Sequence, residues 1–159
     1  MIRGGTQAIK LLEAAGVEFG VHEFDHQPGD RNFGEAAALA LGADPDRVFK
    51  TLVVTADAEQ VVGIVPVSGQ LSLRWIAAAV GAKRAEMCPV ATAQRITGYV
   101  VGGISPFGQK RLLRTVIDET CLLFDTIYVS GGKRGCDIEI APEILIATLS
   151  AVVADIAVP

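Results

Sequence analysis

The sequence predicts a mixed α/β fold, a largely antiparallel mixed sheet or partial barrel surrounded by helices. Three observations carry this expectation. Strand-like runs outnumber strictly alternating β–α units. Two of them, 49–55 and 61–67, are separated only by a short polar stretch within ADAEQ, as in a hairpin. A second pair, 126–130 and 137–141, is joined by the turn sequence GGKRG. Half of the 159 residues are apolar, enough for one domain to bury a substantial core without disulfides or metals.

The elements follow in order. Thr6 is placed to cap a helix over 6–15, whose Ala8, Ile9, Leu11, Leu12 and Ala15 form a stripe, and Gly16 ends it. Residues 19–24 read as a strand. The polar stretch HQPGDRN turns into a helix over 33–41 closed by Gly42. The first hairpin comes next, and its strands are apolar on both faces, as buried strands are. Residues 72–80 are predicted helical, with Trp75, Leu71, Leu73, Ile76 and Ala79 packing against the sheet. A short strand over 85–87 precedes a helix over 89–96, with Pro89 in its permitted first turn. Residues 112–117 form a strand, the second hairpin follows, and Pro142 opens a final helix. The closing AVVADIAVP docks as a short segment or frays.

Composition narrows the function classes. A formal charge of −4 argues against a wide basic surface for gripping nucleic acid. Cys88, Cys121 and Cys136 are scattered without a C-x-x-C pair, and read as reduced thiols rather than a disulfide or zinc framework. No apolar run approaches the roughly 18 residues of a membrane span, and the N-terminus lacks a signal-peptide core. A cytoplasmic protein without a membrane partner is expected, and the pattern calls for no metal or cofactor.

The segment TGYVVGGISPFGQ at 97–109 is the most informative. Gly102 and Gly103 follow an apolar run and lead into Pro106; such a loop either makes an ordinary turn or brings backbone N–H groups up to a ligand. Lys50 lies among apolar neighbours in VFKTLVV. It either snorkels from an edge strand or places a costly charge beside a pocket. Thr51 points to the opposite face if the strand is regular. Phe33 begins the second helix as a hydrophobic anchor or as a pocket wall.

Lys133 and Arg134 either meet a phosphate or, as an exposed turn favours, form a solvated tip, and Asp137 and Glu139 share one face of a strand. A phosphate-binding P-loop is excluded, because Lys133 is followed by Arg134 and a strand. His22 and His26 lack an H-E-x-x-H pattern and a third ligand, which favours a solvent-facing or hydrogen-bonded role. With no G-x-S-x-G elbow and no histidine near a cysteine in sequence, the chain shows no protein nucleophile.

Taken together, FKTLVV at 49–54, the 97–109 segment and YVSGGKRGCDIEIAP at 128–142 resemble the YbaK family, free-standing relatives of the editing domain inserted in bacterial prolyl-tRNA synthetases. The similarity is greatest to cysteinyl-tRNA(Pro) deacylases. The resemblance implies removal of cysteine from mischarged proline tRNA. It places the essential lysine at Lys50 and its neighbour at Thr51, the pocket phenylalanine at Phe33, and the G-x-x-x-P loop at Gly102, Gly103, Ile104, Ser105 and Pro106. The pocket serine and acid fall on Ser130 and Asp137. Where the family pattern has a tyrosine, this chain has Phe24, which keeps the aromatic wall without its hydroxyl.

The family resemblance also suggests a substrate-assisted reaction, in which the thiol of the bound cysteine attacks its own ester. Backbone N–H groups at Gly102, Gly103 and Ile104 would stabilise the oxyanion. Lys50 would hold the carbonyl or the terminal ribose and phosphate, and Thr51, Ser130 and Asp137 would fix the ammonium and ribose hydroxyls. Phe24 and Phe33 would bound a small side chain. The implied partners are the aminoacylated 3′ end of tRNA and prolyl-tRNA synthetase, for a monomer or weak homodimer. The alternatives are a deacylase for alanine or another small amino acid, and a non-catalytic module for tRNA or a nucleotide.

Overall fold

The computed structural model describes residues 5–25 and 32–159. The chain begins with α1 (Gln7–Ala15), β1 (Gly20–Glu23) and α2 (Phe33–Leu41). It continues through the hairpin β2 (Phe49–Ala56) and β3 (Glu59–Pro66), then β4 (Gln70–Leu71) and α3 (Leu73–Ala79). Next come β5 (Ala85–Met87), α4 (Val90–Thr97), β6 (Arg114–Asp118) and a 3-10 turn (Glu119–Leu123). The chain closes with β7 (Ile127–Lys133), β8 (Cys136–Ile140), α5 (Pro142–Leu149), β9 (Val152–Ala154) and β10 (Ala157–Val158).

Local chemistry explains the boundaries. Thr6 Oγ1 accepts from the Ile9 N–H and donates to the Gly131 carbonyl, so one side chain both starts α1 and ties it to β7. Gly16, Gly42 and Gly98 end their helices in left-handed backbone. Ser72 caps α3 by accepting from the Trp75 N–H. Two expectations are corrected here. Pro89 stands as the N-cap of α4 instead of within its first turn. Trp75 is 41% exposed, and Ile76 takes the place expected of it in the core, because only one face of this short helix meets the sheet.

The main sheet has the order β5-β2-β3-β6-β9, with β2 antiparallel to both β3 and β5 but β3–β6 and β6–β9 parallel. A second sheet, β1-β8-β7, is antiparallel throughout, and β4 pairs with β10. Mixed pairing with an antiparallel majority matches the expected class. Strand β3 is buried on both faces: Val62 and Ile64 enter one core with Leu12, Phe107 and Ile138, whereas Val61 and Val65 enter another with Ile76, Val116 and Ile156.

The two larger sheets meet at a parallel bridge between Val48 and Tyr128, reinforced by the Tyr128 N–H donating to the Arg47 carbonyl at 3.1 Å. The expected GGKRG turn is tighter than the sequence suggests. Gly131 to Lys133 continue β7, and the register shifts between Ser130 and Lys133. The C-terminal segment docks. Buried Asp118 accepts from the N–H groups of Ile156 and Ala157 at 2.9 and 3.0 Å. No helix among the described residues is long and apolar enough to cross a membrane.

Candidate active site

A cavity of about 320 Å³ opens where the two sheets meet, and its walls come from several separate parts of the chain. Strand β2 contributes Lys50 and Thr51, β7 contributes Ser130, and β8 contributes Asp137. Phe33 and Gly34 enter from the first turn of α2, Phe24 from the end of β1, and Val101, Gly102 and Ile104 from the glycine loop. Gly103, Ser105 and Pro106 are not in the wall; they shape the loop from behind.

That loop is held from several sides. The Val101 N–H donates to Gln94 Oε1 at 2.9 Å, and the Tyr99 hydroxyl donates to the Phe107 carbonyl at 2.6 Å. Ser105, fully buried, accepts from the Phe107 N–H. Gly103 lies so close to the β7–β8 turn that a β-carbon there would stand 2.8 Å from Lys133 Cα. Its N–H is spent on the Val100 carbonyl at 2.9 Å. Among the described residues the Gly102 and Ile104 N–H groups make no hydrogen bond, so these two, unlike Gly103, keep an unused donor.

The polar groups in the cavity are poorly satisfied from within the protein. Thr51 Oγ1 is buried and has no hydrogen-bond partner among the described residues. Burial lowers the pKa of Lys50, against an opposing influence from Glu35, and no carboxylate among the described residues forms an ion pair with it. Asp137 is 6% exposed, and burial raises its pKa to about 7. Ser130, opposite Asp137 in the β7–β8 register, accepts from the Gly132 N–H at 3.2 Å. Lys50 and Asp137 gain partners when a polar ligand enters, whereas Thr51 Oγ1 is sealed from solvent.

His22 is committed elsewhere: its Nε2 lies 2.9 Å from Glu139 Oε1, while Arg47 and Thr126 donate to Glu139 Oε2. His26 lies outside the described residues. The three cysteines are buried and free, and none is in the cavity wall.

Arg134, though exposed, departs from the solvated-tip reading that its sequence context favours. Lys133 keeps the character of a solvated tip, 3.8 Å from Glu23, but Arg134 folds back onto the cavity. Its Nε donates to the Val101 carbonyl at 2.8 Å, and its guanidinium lies 4.5 Å from the centre of the Phe33 ring. No local signal distinguishes the two cations, because both partners of Arg134 are distant in sequence.

A cavity with a lysine, a buried acid and unused backbone donors, set in a mixed α/β fold, is built to take a polar ligand. Residues 30–147 match the aminoacyl-tRNA editing domain, and the chain belongs to that family. Over 152 residues it is 35% identical to an Enterococcus faecalis protein named as the Cys-tRNA(Pro)/Cys-tRNA(Cys) deacylase EbsC, covering 95% of this chain and 92% of that one. A proline–tRNA ligase of Maridesulfovibrio salexigens is 29% identical over 108 residues, which span 68% of this chain and 18% of the ligase. A crystal structure described as a trans-editing enzyme for prolyl-tRNA synthetase shares the fold, with a TM-score of 0.86 at 24% identity over 100% of this chain and 99% of that one.

Proposed function

We propose that this chain, acting as one editing domain, deacylates Cys-tRNA(Pro) that prolyl-tRNA synthetase has mischarged. The observation that carries the reading is a small cavity rich in unsatisfied polar groups whose described wall contains no cysteine or histidine. The similarity to a protein named as a Cys-tRNA(Pro)/Cys-tRNA(Cys) deacylase supports the same substrate. A cysteine ester supplies its own nucleophile. Its thiol loses a proton, the sulfur bonds to the ester carbonyl carbon, and the carbon–oxygen bond to the terminal ribose breaks. The ribose oxygen takes up a proton, and the cyclic thioester left behind is hydrolysed by water.

In this scheme the Gly102 and Ile104 N–H groups face the developing oxyanion. Lys50 stabilises the thiolate or the carbonyl oxygen, and Asp137 holds the substrate ammonium. Phe24 and Phe33 limit the side chain to a small one. Positioning carries much of the rate, since well-oriented intramolecular reactions reach effective molarities on the order of 10⁵ to 10⁸ M. Proline offers no thiol, so chemistry adds discrimination to size. The chain acts as a monomer or weak homodimer, and the synthetase supplies tRNA choice.

Deacylation assays with Cys-tRNA(Pro) and Ala-tRNA(Pro), with mass spectrometry of the released product, test the reading. Cleavage of the cysteine ester with transient thiolactone is expected. Cleavage of the alanine ester alone assigns the chain to a small-residue deacylase that uses water or the ribose hydroxyl. Saturable binding without cleavage of either ester would make it a non-catalytic module.

A further inference from the structure

The cations around the cavity are not equivalent. Lys133 faces Glu23 from outside the wall, and Lys50 lies within the cavity with Glu35 as its charged neighbour. Arg134 belongs to the wall yet is exposed, and it has no carboxylate within 4 Å among the described residues. Two contacts hold it: the Nε–H donates to the Val101 carbonyl, and Cζ lies 4.5 Å from the centre of the Phe33 ring. Its two Nη groups make no hydrogen bond among the described residues. A guanidinium tied in this way keeps a pre-oriented edge suited to bidentate recognition of a phosphate.

The ligand of an aminoacyl-tRNA editing domain carries such a group one ribose away from the ester. A phosphate cannot follow the aminoacyl group into a cavity that holds buried Asp137 without a large desolvation cost, so it must stay at the rim. A net charge of −4 favours local over broad basic contacts, and among the described residues Arg134 is the exposed cation in the cavity wall. Resting on the reading that the ligand is an aminoacylated tRNA end, we propose that Arg134 forms a rim subsite for the phosphodiester on the 5′ side of the terminal adenosine. The same residue steadies Phe33 and the glycine loop, so phosphate capture and pocket shape are joined in one side chain.

Calorimetry with 3′-deoxy-3′-(L-cysteinylamino)adenosine, with and without a 5′-phosphate methyl ester, tests this without requiring turnover. In the wild type the phosphate ester tightens binding about tenfold, an advantage that shrinks as salt is raised. Arg134→Gln abolishes the advantage, and Arg134→Lys keeps part of it. Equal affinity of the wild type for both probes would overturn the proposal. So would an Arg134→Gln variant that weakens both probes by the same factor, which is the signature of a residue that only props Phe33. Phosphate-dependent binding in a protein that leaves Cys-tRNA(Pro) intact would sink the deacylase reading while sustaining the subsite.

Discussion

Phe33 packs so directly on Gly102 that a β-carbon built at Gly102 would lie 2.7 Å from the ring, in a backbone whose φ of +87° already disfavours any side chain. The aromatic wall and the glycine loop are therefore one unit. Gly102→Ala forces the ring or the loop to move, and the left-handed backbone adds about 1–3 kcal/mol of strain. Urea denaturation should show a loss of that order, and deacylation of Cys-tRNA(Pro) should fall at least about tenfold. Adding Phe33→Ala relieves the clash, so the double variant should lose less stability than the sum of the single changes.

Lys50 is a half-buried cation without an ion pair among the described residues, so its retention costs the folded state. Lys50→Met should leave stability unchanged or raise it by up to about 1 kcal/mol. Its deacylation rate should fall by about two orders of magnitude. Full activity in this variant removes Lys50 from the site.

Asp137 ties stability to pH in the direction opposite to a salt-bridged acid. Its folded-state pKa of about 7 lies above the ordinary value of 3.8, so the folded state holds the extra proton between them. Stability attributable to this group is fully present below pH 4, declines as pH rises towards 7, and stays low above. Asp137→Asn removes the penalty. Thermal or urea unfolding at pH 8 should find this variant more stable by on the order of 2–4 kcal/mol, with the gap closing towards pH 4. Deacylation should drop in the same variant, which separates its stabilising and functional effects.

Thr51 carries a hydroxyl with no partner among the described residues. Thr51→Val, close in volume, should stabilise the unliganded protein by up to about 1 kcal/mol. Because the hydroxyl is sealed from solvent, calorimetric binding of the cysteinylamino-adenosine probe should change little. Binding weakened about 5- to 30-fold in the valine variant, and restored by Thr51→Ser, would show that the hydroxyl meets the ligand after all.

Caps and periodicity made most of the fold legible. Thr6, Gly16, Gly42 and Ser72 mark helix ends because their effects act within a few residues. The strands of the first hairpin were readable for the same reason. What escaped was non-local: β9 and β10 are three and two residues long, and they exist because β6, β4 and the carboxylate of Asp118 accept them. At the site, motif order located Lys50, Gly102, Ser130 and Asp137 around one cavity. It could not tell that the Gly103 N–H is used by Val100, or that Arg134 crosses 33 residues of sequence to reach Val101. Turn chemistry is local, but hydrogen-bond accounting needs three dimensions.

The bridge between Val48 and Tyr128 couples the two layers that carry the cavity. Lys50 departs from the sheet on one side of that junction and Asp137 from the sheet on the other, so the span between cation and acid depends on how closely two independently bonded layers abut. Val48 is part of the cavity wall but Tyr128 is not, so a bulkier or slimmer residue at position 128 shifts how the layers abut without replacing a wall residue. The distance across the cavity thus depends in part on an aromatic ring that lies outside it.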